Sequence, residues 1–486
     1  MFKRLQACAW LVLVLCMGLA SCVPDEEEGH TTVSAEEAAL LPFPEPEFTA
    51  TEYYFPHTTE PEPESQLEEW LDVGILFAAL SMATYLATFK RSRRGIFFLM
   101  LFSLAYFGFY KEGCVCPIGS IQNVAASIFN PKAPIPAGTA LIFLLPLIFA
   151  IFFGRVFCSS VCALGAIQDV MLIKPLKVPK ALGLTLGMIP YFYLSVGVLL
   201  AATGTGFVIC RYDPFIPFFR LNGNSPYLML GAGFLMVSTV VGRPYCRFVC
   251  PYNILLGWMS RFAKWHLSIT PTTCVQCRLC EDSCPFDHIN NPTEGLDREE
   301  RSTGVKRLGK LVAALPILIG VGGYIGYKAS IPLSHYNNTV QKAEQLVIEY
   351  TQTRDGTAKP KQAGLTATQE FRTMTNQEMK AVAHAQMGQA DLDLAEAAKI
   401  VREDMKLGGI LVGMFLGLVL GAKLLRMSIS RNQKDYEVDK PTCYSCARCC
   451  PTCPSDALHE PNFVQVDLSN VASLQQDGEL VAAKQV

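Results

Sequence analysis

Charged side chains are scarce in this sequence. Asp, Glu, Lys and Arg make up only 17% of the 486 residues, whereas half of the residues are apolar and the mean hydropathy is +0.27. This balance excludes an ordinary soluble protein. The net charge of -2 is uninformative until it is divided between the two sides of a membrane, and we expect no nucleic-acid partner. A composition of this kind is typical of polytopic membrane proteins.

The sequence also lacks the usual signatures of haem and flavin proteins. No histidine falls within a long apolar segment, which argues against haem held by two histidines inside a membrane, and no CxxCH motif is present. The "LTAT" at residues 365–368 is only a weak match to flavin-attachment sequences, and a helix start explains it better. We therefore expect neither haem nor flavin in this chain.

Lysine and arginine are absent from residues 23–69, a stretch rich in Glu and Pro that cannot bury a core. We predict a disordered, acidic, external tether over residues 22–69. Lys3, Arg4, an apolar run and the sequence "LASC" precede it, and together they predict a lipoprotein-type signal peptide over residues 1–21 with Cys22 lipidated. The alternative is an uncleaved signal anchor in which Cys22 is an ordinary thiol.

Long apolar segments are what the sequence has in abundance. Seven of them are candidates to span a membrane as helices, which predicts an all-α polytopic membrane protein with about seven transmembrane helices. The second, third and fifth segments are short for this role. The predicted spans lie at residues 70–89, 95–110, 138–154, 181–203, 226–242, 308–327 and 407–425.

The positions of Lys and Arg predict how these helices are oriented. Basic residues follow the first, third, fifth and seventh spans, and short basic loops stay in the cytoplasm. We therefore expect a protein of the bacterial inner membrane with an external N-terminus and a cytoplasmic C-terminus. The predicted parts are a five-helix membrane domain at 70–265, a cytoplasmic segment at 266–305, a sixth span at 306–328, an external pair of helices at 329–406, a seventh span at 407–427 and a cytoplasmic tail at 428–486.

Nineteen cysteines are far more than packing requires, and two runs of them share one pattern. Each run reads CxxCxxCxxxCP, the spacing with which bacterial ferredoxins bind [4Fe-4S] clusters. A zinc site is the less favoured alternative. The fourth cysteine of such a run ligates the other cluster in two-cluster ferredoxins, so we predict a split cytoplasmic module that exchanges fourth cysteines. Self-contained runs are the alternative. The runs are Cys274, Cys277, Cys280 and Cys284, and Cys443, Cys446, Cys449 and Cys453, with Cys450 as a bystander.

Four further cysteines form two CxxxC pairs at the predicted cytoplasmic ends of the third and fifth spans. Each pair follows a Gly-Arg dipeptide, and together they provide four thiolates, enough for a metal or iron-sulfur centre. The alternative is a set of reduced thiols packed at helix ends. The pairs are Cys158 with Cys162 and Cys246 with Cys250.

Three cysteines lie on the predicted external side, namely Cys114, Cys116 and Cys210. A disulfide from Cys210 to one of the other two, and a metal centre with a fourth ligand from elsewhere, are both open. The stretch "CVCPIGSIQNV" at residues 114–124 also shares Cys, Gly, Ile, Gln and Val with "CALGAIQDV" at residues 162–170. Because the charges assign these stretches to opposite faces, we predict an inverted repeat.

Cysteine pairs before proline, "CVCP" and "CRFVCP", occur here together with ferredoxin motifs, and in this the chain resembles the NosR/NapH group of membrane polyferredoxins. The resemblance covers about residues 71–285 and the C-terminal motif. The chain departs from the group in lacking an N-terminal flavin domain and in having Ala163 where the family pattern has proline. The resemblance implies electron transfer between a cytoplasmic or membrane donor and a periplasmic reductase or its maturation machinery.

The thickness of the membrane indicates a similar function independently of the resemblance. Clusters confined to the cytoplasm cannot exchange electrons across a hydrocarbon core of about 30 Å, so a transmembrane path needs intermediate centres at the other cysteines. We predict a membrane iron-sulfur electron-transfer protein that works with other redox subunits rather than as a complete enzyme. One alternative is a maturation factor that reduces or loads a metal such as copper for a respiratory enzyme. Another is a membrane anchor that docks partners.

Overall fold

The computed structural model of the protein describes residues 65–113, 115–129, 135–222, 225–269, 274–293, 300–354, 389–429 and 433–454. The predicted signal peptide, Cys22, nearly all of the acidic tether, Cys114 and the tail after residue 454 lie outside these ranges. Contacts divide the chain into units of residues 1–74 and 75–486, and the structure describes only residues 65–74 of the first unit.

Most of the described residues form helices, as the sequence predicts. π-Helical turns continue α1 at Tyr85–Phe89 and α2 at Leu104–Tyr110, and another at Phe157–Val161 precedes α5. In chain order the helices are α1 (Gln66–Thr84), α2 (Arg93–Ser103), α3 (Pro117–Phe129), α4 (Ala137–Phe153), α5 (Ala163–Met171), α6 (Lys180–Leu186), α7 (Ile189–Ala202), α8 (Val208–Arg211), α9 (Ile216–Phe219), α10 (Ser225–Ser238), α11 (Pro244–Phe248), α12 (Tyr252–Ser260), α13 (Leu279–Ser283), α14 (Arg301–Ser334), α15 (Asn338–Arg354) and α16 (Gln389–Ser428).

Four helical stretches among the described residues are long and apolar enough to cross a membrane. They are Gln66–Phe89, Leu182–Ala202, Arg301–Ser334 and Leu394–Ser428, and they coincide with the first, fourth, sixth and seventh predicted spans. The third and fifth predicted spans correspond to α4 and α10, with 17 and 14 residues, which are shorter than the roughly 20 that a hydrocarbon core requires. The fold is therefore compatible with a membrane protein, and four spans are supported instead of the seven predicted.

Glycines bring the two longest helices, α14 and α16, into backbone contact. A Cβ atom on Gly413 would overlap the carbonyl oxygen of Gly322, and one on Gly409 would lie 2.7 Å from the carbonyl oxygen of Gly326. Small residues four apart allow such close approach, which is how apolar helices associate where no hydrophobic effect drives them together. The pair matters for the site because one ferredoxin run precedes α14 and the other follows α16.

We expect the substitution Gly413→Leu to destabilise the protein by about 1–3 kcal/mol or more, because a side chain at this position must push the two backbones apart. Gly320→Leu is the matched control, since a Cβ atom on Gly320 in α14 meets nothing within 4 Å. Thermal unfolding of the detergent-solubilised variants measures the difference. Equal midpoints for the two variants would contradict this packing.

The predicted external segment contains two helices, but the second does not end where the seventh span begins. Helix α16 is continuous over 40 residues, so the external helix and the predicted span form one rod. Helix α15 packs against its first turns through a cluster that contains Val340, Ala343 and Ala398. Arg402 also donates to Glu344 Oε1 at 2.8 Å. Residues 355–388, which join the two helices, lie outside the described ranges.

The segments that carry the ferredoxin runs pair through a short antiparallel ribbon. Strand β1 (Ile289–Asn290) pairs with β2 (Glu437–Val438), with Ile289 opposite Val438. The ribbon continues through Asp439 N–H, which donates to the carbonyl oxygen of His288 at 3.0 Å. The Ser260 hydroxyl of α12 also donates to a carbonyl of the C-terminal segment, that of Lys440. The two distant segments therefore meet at one end of the helical bundle, as their predicted association requires.

Candidate iron-sulfur site

Four cysteines from the two ferredoxin runs line one small pocket. Cys443, Cys446 and Cys449 come from the C-terminal run, and Cys284 comes from the other. The rest of the wall is mainly apolar and aromatic, and it includes the buried ring of Tyr444. These four thiols are the set that an exchange of fourth cysteines assigns to one cluster.

The two ferredoxin runs share positive φ angles at corresponding positions. The second residue after the first cysteine has a positive φ in each run, at Gln276 (53°) and Ser445 (51°), and so does the fourth, at Arg278 (64°) and Ala447 (52°). Alternating right-handed and left-handed residues turn successive N–H groups toward one side, which makes a concavity that binds anions and iron-sulfur clusters. The N–H of Ser445 lies 3.3 Å from Cys443 Sγ. The shared conformation indicates that the runs perform the same task.

The remaining four cysteines of the runs also lie near one another. Cys280 is within electrostatic range of the two earlier cysteines of its own run. Cys453 follows a 3-10 turn, Cys450–Thr452, that contacts α13, the helix that carries Cys280. The hydroxyls of Thr452 and Ser283 join the turn to this helix at 3.2 Å. This neighbourhood is the one that a second cluster with exchanged ligands needs.

Burial governs the protonation of the cysteines in the paired segments. It raises the pKa of Cys280 to about 11, and it raises the pKa of Cys284 and of Cys443 above the usual range. The metal-free thiols are therefore protonated at neutral pH, because a buried thiolate is poorly solvated. Iron ligation needs thiolates, so metal binding here would release protons. Sulfur donors, an apolar wall and loops lined by N–H groups fit an iron-sulfur cluster.

The two CxxxC pairs come together in the structure. Cys250 has Cys246, Cys162 and Cys158 as electrostatic neighbours, so the four thiols form one group. Gln168 of α5 faces this group, and its Nε2 donates to Cys246 Sγ at 3.4 Å. The Oε1 atom of Gln168 accepts a hydrogen bond from the N–H of Tyr245, the residue before Cys246, at 3.0 Å.

The predicted external cysteines meet at the first turn of α3. The backbone N–H groups of Ile118 and Gly119 lie near the Cys116 thiol. A Cβ atom on Gly119 would lie 2.9 Å from Cys210 Sγ, so this glycine makes room for the second cysteine. Within the described residues no disulfide joins Cys116 and Cys210. Cys114, the third member of the set, lies outside the described residues.

The repeated stretches build two sites of the same design. Each helix begins after a cysteine, has glycine three residues later and has glutamine six residues later, and the glutamine Oε1 accepts a backbone N–H at or beside the facing cysteine. Cys116 and Cys162, the cysteines that precede the two helices, lie within electrostatic range of each other, although charge patterning assigns them to opposite faces. Both stretches follow π-helical turns, after which the chain folds back into the bundle. The two sets are Cys116, Gly119 and Gln122 facing Cys210, and Cys162, Gly165 and Gln168 facing Cys246.

A buried carboxylate ties these parts together. Asp169 is completely buried and lies 2.7 Å from Arg93 Nη2, 2.9 Å from Arg448 Nη2 and 3.4 Å from Arg243 Nε. These arginines come from the start of α2, from the C-terminal ferredoxin run and from the loop before α11. Sequence reasoning missed Asp169, although one signal was available, since the related stretch has Asn123 at this position. The carboxylate connects the C-terminal run to the helices that hold the CxxxC pairs.

Arg243 and two aromatic rings separate the paired segments from the CxxxC group. The guanidinium donates to the carbonyl oxygens of Cys158 and Ser159, the latter at 3.1 Å. It also lies over the rings of Phe286 and Tyr444, at 5.5 and 5.4 Å from their centroids. The sulfur-bearing groups of both cysteine sets therefore border the same buried, largely aromatic layer.

Within the described ranges, no three side chains of His, Cys, Asp or Glu converge on a single metal ion. This finding concerns mononuclear sites. The ligands of a four-iron cubane bind different iron atoms at its corners, so they stand farther apart than the ligands of one ion. The four-cysteine pocket therefore suits a cluster rather than a single metal ion.

A family model described as a 4Fe-4S binding domain matches the chain three times, at residues 95–136, 137–178 and 225–270. Each match contains one cysteine pair of the helical bundle, and the three matches together cover less than half of the chain. The ferredoxin runs lie outside them. The matches support iron-sulfur binding, and they place it in the segments that carry the cysteine pairs of the helical bundle.

One curated relative carries a name that points in the same direction. The chain is 21% identical over 187 residues to a protein of Escherichia coli K12 that bears the name "Putative electron transport protein YccM", covering 35% of this chain and 52% of the relative. Two proteins of Methanocaldococcus jannaschii, MJ0749 and MJ0750, are 27% and 28% identical over 32% and 40% of this chain, and over 61% and 82% of their own lengths. No solved structure matches.

The comparisons support an iron-sulfur electron-transfer family and do not single out the NosR/NapH group. The chain spans about half of the Escherichia coli relative and under two thirds of MJ0749. Iron-sulfur binding is therefore what the family matches support, one relative carries a name that refers to electron transport, and four helices are compatible with a membrane location.

Proposed function

We propose that the chain is a multi-pass protein of the bacterial cytoplasmic membrane that passes electrons between its cytoplasmic side and a redox partner in the membrane or outside it. In this proposal the eight cysteines of the ferredoxin runs hold two [4Fe-4S] clusters. The two CxxxC pairs hold a further iron-sulfur or metal centre. When bound, such a cluster supplies a site that accepts and releases one electron.

The observation that carries the proposal is the aromatic layer that both cysteine sets border. Phe286 and Tyr444 form a buried edge-to-face pair with ring centroids 5.0 Å apart. Cys158 of the CxxxC group packs against this pair together with Cys284 and Cys446 of the pocket. Electron tunnelling falls steeply with distance, so ligands of two centres that pack against one small cluster favour transfer between them.

The residues of the chain have a structural part in this function. Asp169 and its arginines hold the C-terminal run against the bundle, which fixes the separation of the two cysteine sets. The ring pair excludes water from the layer between the two cysteine sets. A dry layer reduces the solvent reorganisation that accompanies each electron transfer. Cys116 and Cys210, with Cys114, are the proposed continuation toward the external side.

Iron, sulfide and copper content of the anaerobically purified full chain, followed by electron paramagnetic resonance, tests the proposal. We expect more iron than two four-iron clusters contain, and a signal that disappears in the double variant Cys158→Ser/Cys246→Ser while the signals of the ferredoxin runs remain. Protein without iron at the eight ferredoxin cysteines would sink the proposal. Stoichiometric copper lost in the same double variant would favour the maturation factor.

Gln168 allows a finer test at the CxxxC group. Its Nε2–H donates to Cys246 Sγ at 3.4 Å, and a hydrogen bond to a ligand sulfur stabilises the more electron-rich, reduced state. We expect Gln168→Leu to lower the reduction potential of this centre by about 20–60 mV, the equivalent of one net hydrogen bond in a one-electron couple.

Gln122→Leu is the matched control, because Gln122 occupies the same position in the related stretch and accepts the N–H of Cys210 at 3.1 Å. Each variant removes one buried amide and one acceptor of a backbone N–H. A redox titration in which both variants shift the potential of the same centre equally would show that the effect is a general loss of packing.

A further inference from the structure

A cavity of about 350 Å³ lies between the helical bundle and the paired ferredoxin segments. Its volume falls within the range of small-molecule sites in proteins. One side is formed by α6, α7, α12 and the end of α16, and the other by residues of both ferredoxin segments, including Tyr444. None of the functional roles described above uses this space.

Positive charge dominates the cavity lining. Five cationic side chains line it, against the two carboxylates of Asp287 and Asp439. One cation and one carboxylate pair with each other, Arg426 Nη2 with Asp439 Oδ1 at 3.2 Å. Like charges gathered in a half-buried space repel one another unless an anion compensates them. The five cations are Arg155, Arg247, Arg261, Lys423 and Arg426.

Two buried side chains of the lining hold nitrogens that have no hydrogen-bond partner among the described residues. They are Arg155 Nε and His288 Nδ1, in residues that are only 5% and 9% exposed. A buried polar atom without a partner costs free energy, so such atoms point to a group that completes them.

The cavity lies at the depth where the apolar helices end. Lys423 is in the last two turns of α16, its Nζ donates to the carbonyl oxygen of Gly187 at 2.5 Å, and it lies 4.9 Å from the ring centroid of Tyr191. Trp258 and Phe248 also line the cavity. Arginine, lysine and amphipathic rings at a helix end are the side chains with which membrane proteins hold anionic headgroups.

We propose that this cavity binds a phosphate-bearing anion, with the phosphate held by Arg155, Arg247 and Lys423. An anionic phospholipid and a soluble phosphate compound share this chemistry. Arginine suits the role because its planar guanidinium donates two parallel hydrogen bonds to one phosphate. Bound there, the anion neutralises the cations between bundle and paired segments, and so it strengthens the contact on which the cysteine geometry depends.

The test uses the full chain, purified and stripped of lipid in a neutral detergent. It is titrated with inorganic phosphate, with phosphatidylglycerol and with zwitterionic phosphatidylcholine at constant ionic strength, and bound phosphorus and thermal midpoint are measured. We expect one bound phosphate per chain and a raised midpoint. Binding should weaken about tenfold in Arg247→Gln and in Lys423→Gln, since each loses a hydrogen bond to a charged group. Arg247→Lys keeps the charge but loses the bidentate geometry, so its affinity should fall between those of the wild type and Arg247→Gln.

The arms of the titration distinguish the source of the phosphate. Strong binding of phosphatidylglycerol with weak competition by inorganic phosphate identifies a lipid, whereas the reverse order identifies a soluble ligand. Lys310→Gln is the matched control, because Lys310 is an exposed lysine of α14 outside the cavity. Wild-type affinity in Arg247→Gln and Lys423→Gln, or equal binding of phosphatidylcholine, would overturn the proposal.

Discussion

Replacing Cys284 by serine is expected to abolish the same [4Fe-4S] signal as replacing Cys446, although the two residues belong to different runs. The four-cysteine pocket joins Cys284 to the C-terminal run, so either substitution removes one ligand of one cluster. The loss should be nearly complete, because a cubane with three cysteines is labile. The signal that depends on Cys277 and Cys453 should persist in both variants. Iron content and electron paramagnetic resonance of the anaerobically purified variants give the result.

Cys450→Ser is the matched control for these substitutions. Cys450 is buried beside Cys449 and belongs to the same run, yet it does not line the pocket. We expect this variant to retain both signals. If Cys284→Ser instead removes the signal that Cys277→Ser removes, each run holds its own cluster and the exchange is wrong.

The second large effect is expected at Asp169. Asp169→Asn keeps the size of the side chain but leaves three neighbouring arginines without their counter-charge, and two of these lie 2.7 and 2.9 Å from the carboxylate. Removal of one partner from a buried ionic group costs about 3–5 kcal/mol, because the remaining charges stay desolvated. Thermal or denaturant unfolding of the solubilised protein should show this loss. Proteolysis should also cleave the C-terminal segment sooner, since Arg448 holds it to Asp169.

Glu112→Gln provides the comparison at an exposed ion pair. Glu112 Oε2 lies 3.8 Å from Arg220 Nε, and about half of each side chain is exposed. Such pairs contribute about 0–1 kcal/mol, so the stability of this variant should be close to that of the wild type. A loss of stability at Asp169 no larger than that at Glu112 would mean that the buried carboxylate is not the connecting element.

The sequence predicts which cysteines group together better than it predicts how deep in the membrane they lie. Ligand spacing is a local property, so the runs at Cys274–Cys284 and Cys443–Cys453 can be recognised without a fold. Their association follows from charge, because basic loops bring both segments to the same end of the bundle. The pairing of β1 with β2 and the four-cysteine pocket agree with that expectation. The cluster content of the module stays a prediction.

Depth in the membrane was harder to predict because hydropathy does not show how far a short apolar helix reaches. The helices at the second, third and fifth predicted spans, which include the π-helical turn Leu104–Tyr110, α4 and α10, are short, as their sequences indicate. The stretches around Cys116 and Cys162 therefore approach each other, although charge patterning places them on opposite faces. Lysine and arginine report which side a loop belongs to, and they carry no information about how far it folds back.

Buried polar partners were the other feature beyond sequence reasoning. Asp169 reads as an ordinary surface residue of a short helix, and its role depends on arginines 76, 74 and 279 positions away in the chain, which only the fold brings together. Gln168 and Gln122 were visible as shared letters of the repeated stretch. Their contacts with the facing cysteine segments explain why the letters recur.

Electron transfer across sealed vesicles tests the central claim most directly. The full chain is reconstituted with ferricyanide trapped inside, dithionite is added outside, and potassium with valinomycin removes the charge that accumulates. We expect ferricyanide reduction by the wild-type protein and a fall to the rate of protein-free vesicles in Cys158→Ser/Cys246→Ser that retains both ferredoxin signals. Wild-type rates in that double variant would contradict a path through the CxxxC group.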